Sequence, residues 1–117
     1  MYTFELNDDQ DNVREITKLS DIAYELEQLK LEKNYTLGIG VKPDLENIFE
    51  LAVVNSCGYK GIFKKRYEVK YFVMADMKFD KGVPVPVGYL TSDFDEVKTI
   101  LQNFIEHQKA PDTNIWT

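Results

Sequence analysis

The sequence predicts an α+β fold, an antiparallel meander sheet of about 4–6 strands with two helices in a single layer packed on it. Three observations carry that expectation. Phe94, Val97, Ile100, Leu101, Phe104 and Ile105 recur in steps of three and four, which draws one apolar stripe along a helix. From residue 35 onward the apolar residues recur in steps of two, the period of a half-buried strand. The alternating segments are joined by short polar or glycine-containing turns, which imply antiparallel neighbours.

The elements follow in order. Residues 2–6 (YTFEL) alternate and predict a first strand, and residues 7–12 (NDDQDN) an acidic turn. Residues 13–17 suit either a second short strand or the approach to a helix. Ser20 is positioned to cap a helix through residue 31, with Ile22, Ala23, Leu26 and Leu29 on its apolar face and Leu19 and Tyr24 as a staple. Residues 35–41 (YTLGIGV) put Tyr35, Leu37, Ile39 and Val41 on one face and two glycines on the other. Lys42, Pro43 and Asp44 read as a turn. Residues 48–54 make the next strand, 55–61 (NSCGYKG) a loop, and 66–75 a strand with Tyr67, Val69, Tyr71 and Val73 on one face. After a turn at 80–82, residues 83–90 contain Pro84 and Pro86 and suit only an edge strand or an extended loop. Ser92 is placed to cap the last helix, whose first turn holds Asp93, Asp95 and Glu96 at the positive end of its dipole. Pro111 ends it, and residues 114–116 predict a short final strand.

Residues 1–117 read as one domain, without internal repeat or linker. Apolar residues make up 44% and charged residues 29%, a globular composition. A single cysteine allows no internal disulfide and suits a reducing compartment. With no secretory leader or membrane span in view, the expectation is a cytoplasmic protein with no membrane association. Net charge is −6 and uneven: residues 1–56 hold 12 acidic and 5 basic side chains, −7, and residues 57–117 hold 8 and 9, +1. That excess repels phosphates, so nucleic acid is not the expected ligand, and it attracts basic partners.

Chemistry-bearing constellations are sparse, and no cofactor, metal or enzymatic activity is expected. A Cys/His nucleophile pair needs Cys57 and His107 within hydrogen-bond reach, and they lie fifty positions apart in sequence. Asp8, Asp9 and Asp11 resemble part of a calcium loop but lack its glycine and distal glutamate. Gly38 and Gly40 lack the third glycine of a dinucleotide loop and favour close packing instead. Lys60, Lys64, Lys65, Arg66 and Lys70 interleave with Tyr59, Phe63 and Tyr67, a pattern able to bind nucleic acid, here set in an acidic chain where a mixed-charge surface is the simpler reading.

The segment from Phe94 to His107, the stop Lys109-Ala110-Pro111 and the ending Ile115-Trp116 resemble a family of small bacterial immunity proteins encoded beside polymorphic toxins. The order helix–strand–strand through Leu37, residues 48–54 and residues 67–73 is similar as well. The resemblance implies a cytoplasmic antitoxin. It would neutralise a cognate secreted toxin domain, a nucleic-acid-targeting deaminase or nuclease, by stoichiometric occlusion of the active site. It carries no catalytic motif. A toxin that grips phosphates needs a cationic groove, which acidic side chains can fill. Asp8, Asp9, Asp11, Asp44, Glu46 and Asp76 are the candidate carboxylates, and Tyr59 and Phe63 the candidate aromatic contacts. The free protein is expected to be a monomer or weak dimer. The competing readings are an adaptor module without activity, and an enzyme or small-ligand binder using Cys57.

Overall fold

The computed structural model describes residues 1–31, 34–60, 66–78 and 84–116. Six strands form one antiparallel sheet: β1 (Thr3–Asn7), β2 (Val13–Ile16), β3 (Thr36–Leu45), β4 (Ile48–Lys60), β5 (Arg66–Lys78) and β6 (Pro84–Thr91), in the spatial order β2-β1-β3-β4-β5-β6. Two helices, α1 (Ala23–Leu29) and α2 (Phe94–Ile105), pack on one side of it, as the sequence predicts. The prolines of β6 put it at an edge, where missing N–H donors break no ladder bond.

Alternation sorts the residues between two faces. Leu6, Ile39, Leu51, Ala75 and Val87 stand opposite one another across five strands on the helix side. Leu37, Val53, Val73 and Tyr89 form the next row. Val97, Leu101, Phe104 and Ile105 of α2 close over these rows, and the Phe104 ring meets Phe4 edge-on at 5.3 Å. Leu6, Leu37, Ile39, Leu51, Val53, Leu101 and Phe104 lose all contact with water, and burying each stabilises the fold by about 1.5–3 kcal/mol.

Several local expectations need correction. The cap of α2 is Asp93, not Ser92: the Asp93 carboxylate accepts the Asp95 N–H at 3.0 Å, and the Thr91 hydroxyl accepts the Asp93 N–H. The first helix opens as a 3-10 turn (Leu19–Ile22), and Ser20 does not cap it. The Asp21 carboxylate accepts the N–H groups of Thr17 and Lys18 instead. Tyr24 is exposed, so no staple forms with Leu19. Ala23 is also exposed, and Glu25 takes a buried place beside Leu26. Arg14 of β2 pairs with that carboxylate, and its other oxygen has no hydrogen-bond partner.

β3 runs past Lys42 and Pro43 and turns at Glu46 and Asn47, both in the left-handed region that a tight hairpin needs. Residues 55–60 are strand, not loop: β4 and β5 pair without interruption from Glu50↔Asp76 to Lys60↔Arg66. β3 pairs with β4 only as far as Val54, and β6 with β5 only as far as Tyr71. Among the described residues, the far end of the β4–β5 hairpin therefore extends as a two-stranded ribbon beyond the sheet. Residues 114–116 form a turn rather than a final strand, closed by the Trp116 N–H donating to the Thr113 carbonyl. The turn expected at 80–82 lies outside the described residues.

One buried polar residue joins the layers. Asn55 is 1% exposed. Its side chain accepts the Tyr35 N–H and donates to the carbonyls of Leu29 (2.8 Å) and Leu31 (3.4 Å) at the end of α1. Carbonyls at a helix end have no partner within the helix, and Asn55 supplies one.

A candidate partner-binding face

The side of the sheet away from the helices has no covering element among the described residues. Its rows follow from register. Glu15, Glu5, Gly40, Glu50, Asp76 and Pro86 stand opposite one another across all six strands. Four of these six are carboxylates. The next row is Val13, Asn7, Gly38, Ala52, Met74 and Gly88, and the next Thr36, Val54, Phe72 and Leu90. An acidic band thus runs beside an apolar one, in which Phe72 and Leu90 are 39% and 55% exposed.

Glycines keep the face low. A Cβ on Gly38 would stand 2.9 Å from a Glu50 carboxylate oxygen, and one on Gly88 would stand 2.2 Å from the Phe72 ring. Glu50 and Phe72 therefore lie flat across the neighbouring strand. Burial, and next the Asp76 carboxylate, push the Glu50 carboxyl above its ordinary range. A half-buried carboxylate beside a second carboxylate costs stability when ionised, and a cation placed over the pair would relieve that cost.

The acidic turn between β1 and β2 completes the arrangement. Asp8, Asp9 and Asp11 line a shallow cleft of about 230 Å³ together with Asn7, Thr36, Gly38, Glu50 and Ala52. The three aspartates are not equivalent. The Asp8 carboxylate accepts the N–H groups of Asn12 and Gln10 and the Asn12 side-chain amide. Those bonds, the Asn12 N–H foremost, hold its carboxyl below the usual range. Asp8 therefore builds the turn, while Asp9 and Asp11 are exposed. The field of this cluster reaches inward: burial first, then the carboxylates of Asp9, Glu25 and Asp8, push the Tyr35 hydroxyl up to about 12.

The structure brings Asp8, Asp9, Asp11 and Asp76 of the expected residues to this face. Asp44 and Glu46 belong elsewhere. They sit at the β3–β4 turn, and Asp44 lies about 20 Å along β3 from Gly38. Tyr59 is in strand β4, paired with Tyr67, instead of in a loop. Phe63 lies outside the described residues. Sequence reading missed Glu5, Glu15 and above all Glu50. Glu5 lies between buried Phe4 and Leu6, and Glu50 precedes buried Leu51, which marks a side facing away from the core, but only long-range register unites them with Asp76.

Other chemistry is thin. His107 is exposed just beyond α2, and Cys57 stands opposite Val69 in the hairpin ribbon. Among the described residues, no group of three His, Cys, Asp or Glu side chains could hold a metal ion. No helix among them is long and apolar enough to cross a membrane. A second cleft, about 300 Å³, lies on the helix side between α2 and the C-terminal segment. Trp116 stacks on Tyr89 there at 5.9 Å and 14°, and the Tyr89 hydroxyl bonds to Glu96. The lone tryptophan thus fastens the C-terminal segment to the sheet edge. Comparison with known proteins finds no family model, no curated protein and no solved structure that matches the chain.

Proposed function

We propose that the chain is a stoichiometric protein inhibitor, an immunity protein that binds a cognate bacterial toxin domain and blocks its active site. The observation that carries this reading is the uncovered sheet face, where Glu5, Glu15, Glu50 and Asp76 form one band that meets the cleft of Asp9 and Asp11. A toxin acting on nucleic acid presents cations that hold phosphates. A rigid sheet bearing spaced carboxylates can occupy those cations and compete with the substrate. The apolar band of Val54, Phe72, Met74 and Leu90 would supply most of the affinity, and the acidic band would set encounter rate and orientation. This work takes place in the cytoplasm of the producing cell.

The test is co-expression with the toxin domain encoded beside this chain. The proposal expects survival of the host cell and co-purification of a one-to-one complex. Replacing Asp9 and Asp11 by lysine should weaken the complex tenfold or more, and most strongly at low salt. Cell death despite soluble expression, with no complex formed, would overturn it.

A further inference from the structure

The cleft between α2 and the C-terminal segment has a property that does not depend on the inhibitor reading. Its walls follow from local structure. Glu96, Ile100 and Asn103 are spaced by four and three residues, so they share one flank of α2. Beyond the helix the backbone reverses at Gln108, which lies in the left-handed region, and the Lys109 N–H donates to the Asn103 carbonyl at 3.0 Å. Ala110 then enters the core. The Asp112 carboxylate accepts the Asn114 N–H at 3.1 Å, a side-chain turn that helps bring Trp116 back onto Tyr89 of β6. The returning segment and α2 together bound about 300 Å³.

The two ends of this cleft have opposite character. At one end the Tyr89 hydroxyl donates to the Glu96 carboxylate, and the Trp116 ring stacks on Tyr89. A carboxylate beside electron-rich rings attracts a cation. At the other end stand the Asn103 amide and the Lys109 ammonium, joined through their backbone bond. Both are donors suited to a carboxylate. Among the described residues neither of these two side chains has a partner. Seven helical residues separate Glu96 from Asn103, about 10 Å along the axis. The stretch between them is apolar, with Ile100 and Ala110 lining it and Ile115, 77% exposed, also on its wall. An apolar cleft with a few convergent polar groups has the make-up of a small-ligand site.

We propose that this cleft binds a zwitterion with an ammonium and a carboxylate at the two ends of a short aliphatic stem. The ammonium lies beside Glu96 and the rings of Tyr89 and Trp116. The carboxylate meets Asn103 and Lys109, and the stem crosses Ile100 and Ala110. A stem of about five carbons suits the span, because the Glu96 and Lys109 side chains shorten it from both ends. A free ω-amino acid and the C-terminal lysine of a polypeptide share this chemistry.

Trp116 is the only tryptophan, so its fluorescence reports on the cleft directly. Titration with 6-aminohexanoate should change that fluorescence with a Kd of about 0.1–1 mM, the range open to so small a ligand. In proton–nitrogen correlation spectra the Trp116 indole and Asn103 amide signals should move, while those of β1 and β3 stay in place. Hexylamine and hexanoate each lack one charge and should bind at least tenfold more weakly. N-acetyl-lysine carries an amide where a polypeptide would continue. Affinity equal to that of 6-aminohexanoate assigns the site to a chain end, and a tenfold loss assigns it to a free amino acid. Glu96→Gln keeps an acceptor for the Tyr89 hydroxyl and should weaken 6-aminohexanoate about tenfold. Lys109→Glu should reject 6-aminohexanoate and take up 1,6-diaminohexane instead, a reversal that requires a folded cleft. Silence of the Trp116 and Asn103 signals up to about 20 mM 6-aminohexanoate would overturn the proposal. So would hexylamine or hexanoate binding as tightly as the zwitterion, or a Lys109→Glu protein with unchanged preference.

Discussion

Asn55→Leu tests how the helical layer is held to the sheet. The leucine has similar volume and occupies a site that is 1% exposed, so packing changes little. What changes is hydrogen bonding. The Tyr35 N–H loses its acceptor, and the carbonyls of Leu29 and Leu31 lose their donor. The Leu31 contact, at 3.4 Å and only part-buried, contributes least. Each buried group left without a partner costs about 1–3 kcal/mol, and with two such groups the expected loss is about 3 kcal/mol. Apolar burial of the leucine offsets only part of this, because the abandoned backbone groups stay where they are.

Urea denaturation followed by circular dichroism is the assay. With a slope of about 1.5 kcal/mol per molar for a chain of this size, the midpoint should fall by about 2 M, and the melting temperature by about 12 °C. Asn55→Asp separates the two halves of the contact. It keeps an acceptor for the Tyr35 N–H but offers the helix carbonyls a carboxylate, so it should be more destabilised at pH 7 than at pH 4. A leucine variant with its midpoint within about 0.5 M of the parent would refute the assignment of Asn55 as the tie between α1, β3 and β4.

Four further outcomes follow. Glu50 has a raised folded-state pKa, so its contribution to stability is fully present below the ordinary 4.5 and is lost as pH rises through the raised value. Glu50→Gln should therefore stabilise the free protein at pH 7 more than at pH 4, and urea midpoints measured across that range would show a flatter profile. Gly88→Ala should cost about 1 kcal/mol by pushing the Phe72 ring aside, yet cost nothing in a Phe72→Ala background, a coupling that a double-mutant cycle reads directly. Arg14→Ala should cost about 3 kcal/mol, since it strands a Glu25 carboxylate that is only 2% exposed, whereas Arg14→Ala with Glu25→Leu should recover most of that loss in the same urea assay. Trp116→Ala should leave the sheet folded but free the C-terminal segment from Tyr89, seen as faster proteolysis after residue 109 with an unchanged melting temperature.

The sequence by itself determined the α+β class, because period-two and period-3.6 spacing are local signals. Tyr35, Leu37, Ile39 and Val41 declared their buried face, and Phe104 and its helical neighbours declared theirs. Pro84 and Pro86 announced the edge strand, since a missing N–H is a property of the residue alone. Caps were less legible: Ser20 and Ser92 had the right chemistry, but Asp21 and Asp93 stand one residue on and accept the N–H groups with a charge. The loop read at 55–61 failed for a related reason. Two glycines lower strand propensity locally, while twelve antiparallel pairings with β5, a feature of the tertiary structure, override it. The acidic face was beyond sequence reading. Glu5, Glu50 and Asp76 are scattered over seventy positions, and strand order and register alone place them in one row. Which charges share a surface is decided by how distant segments pair, and pairing is a property of the tertiary structure.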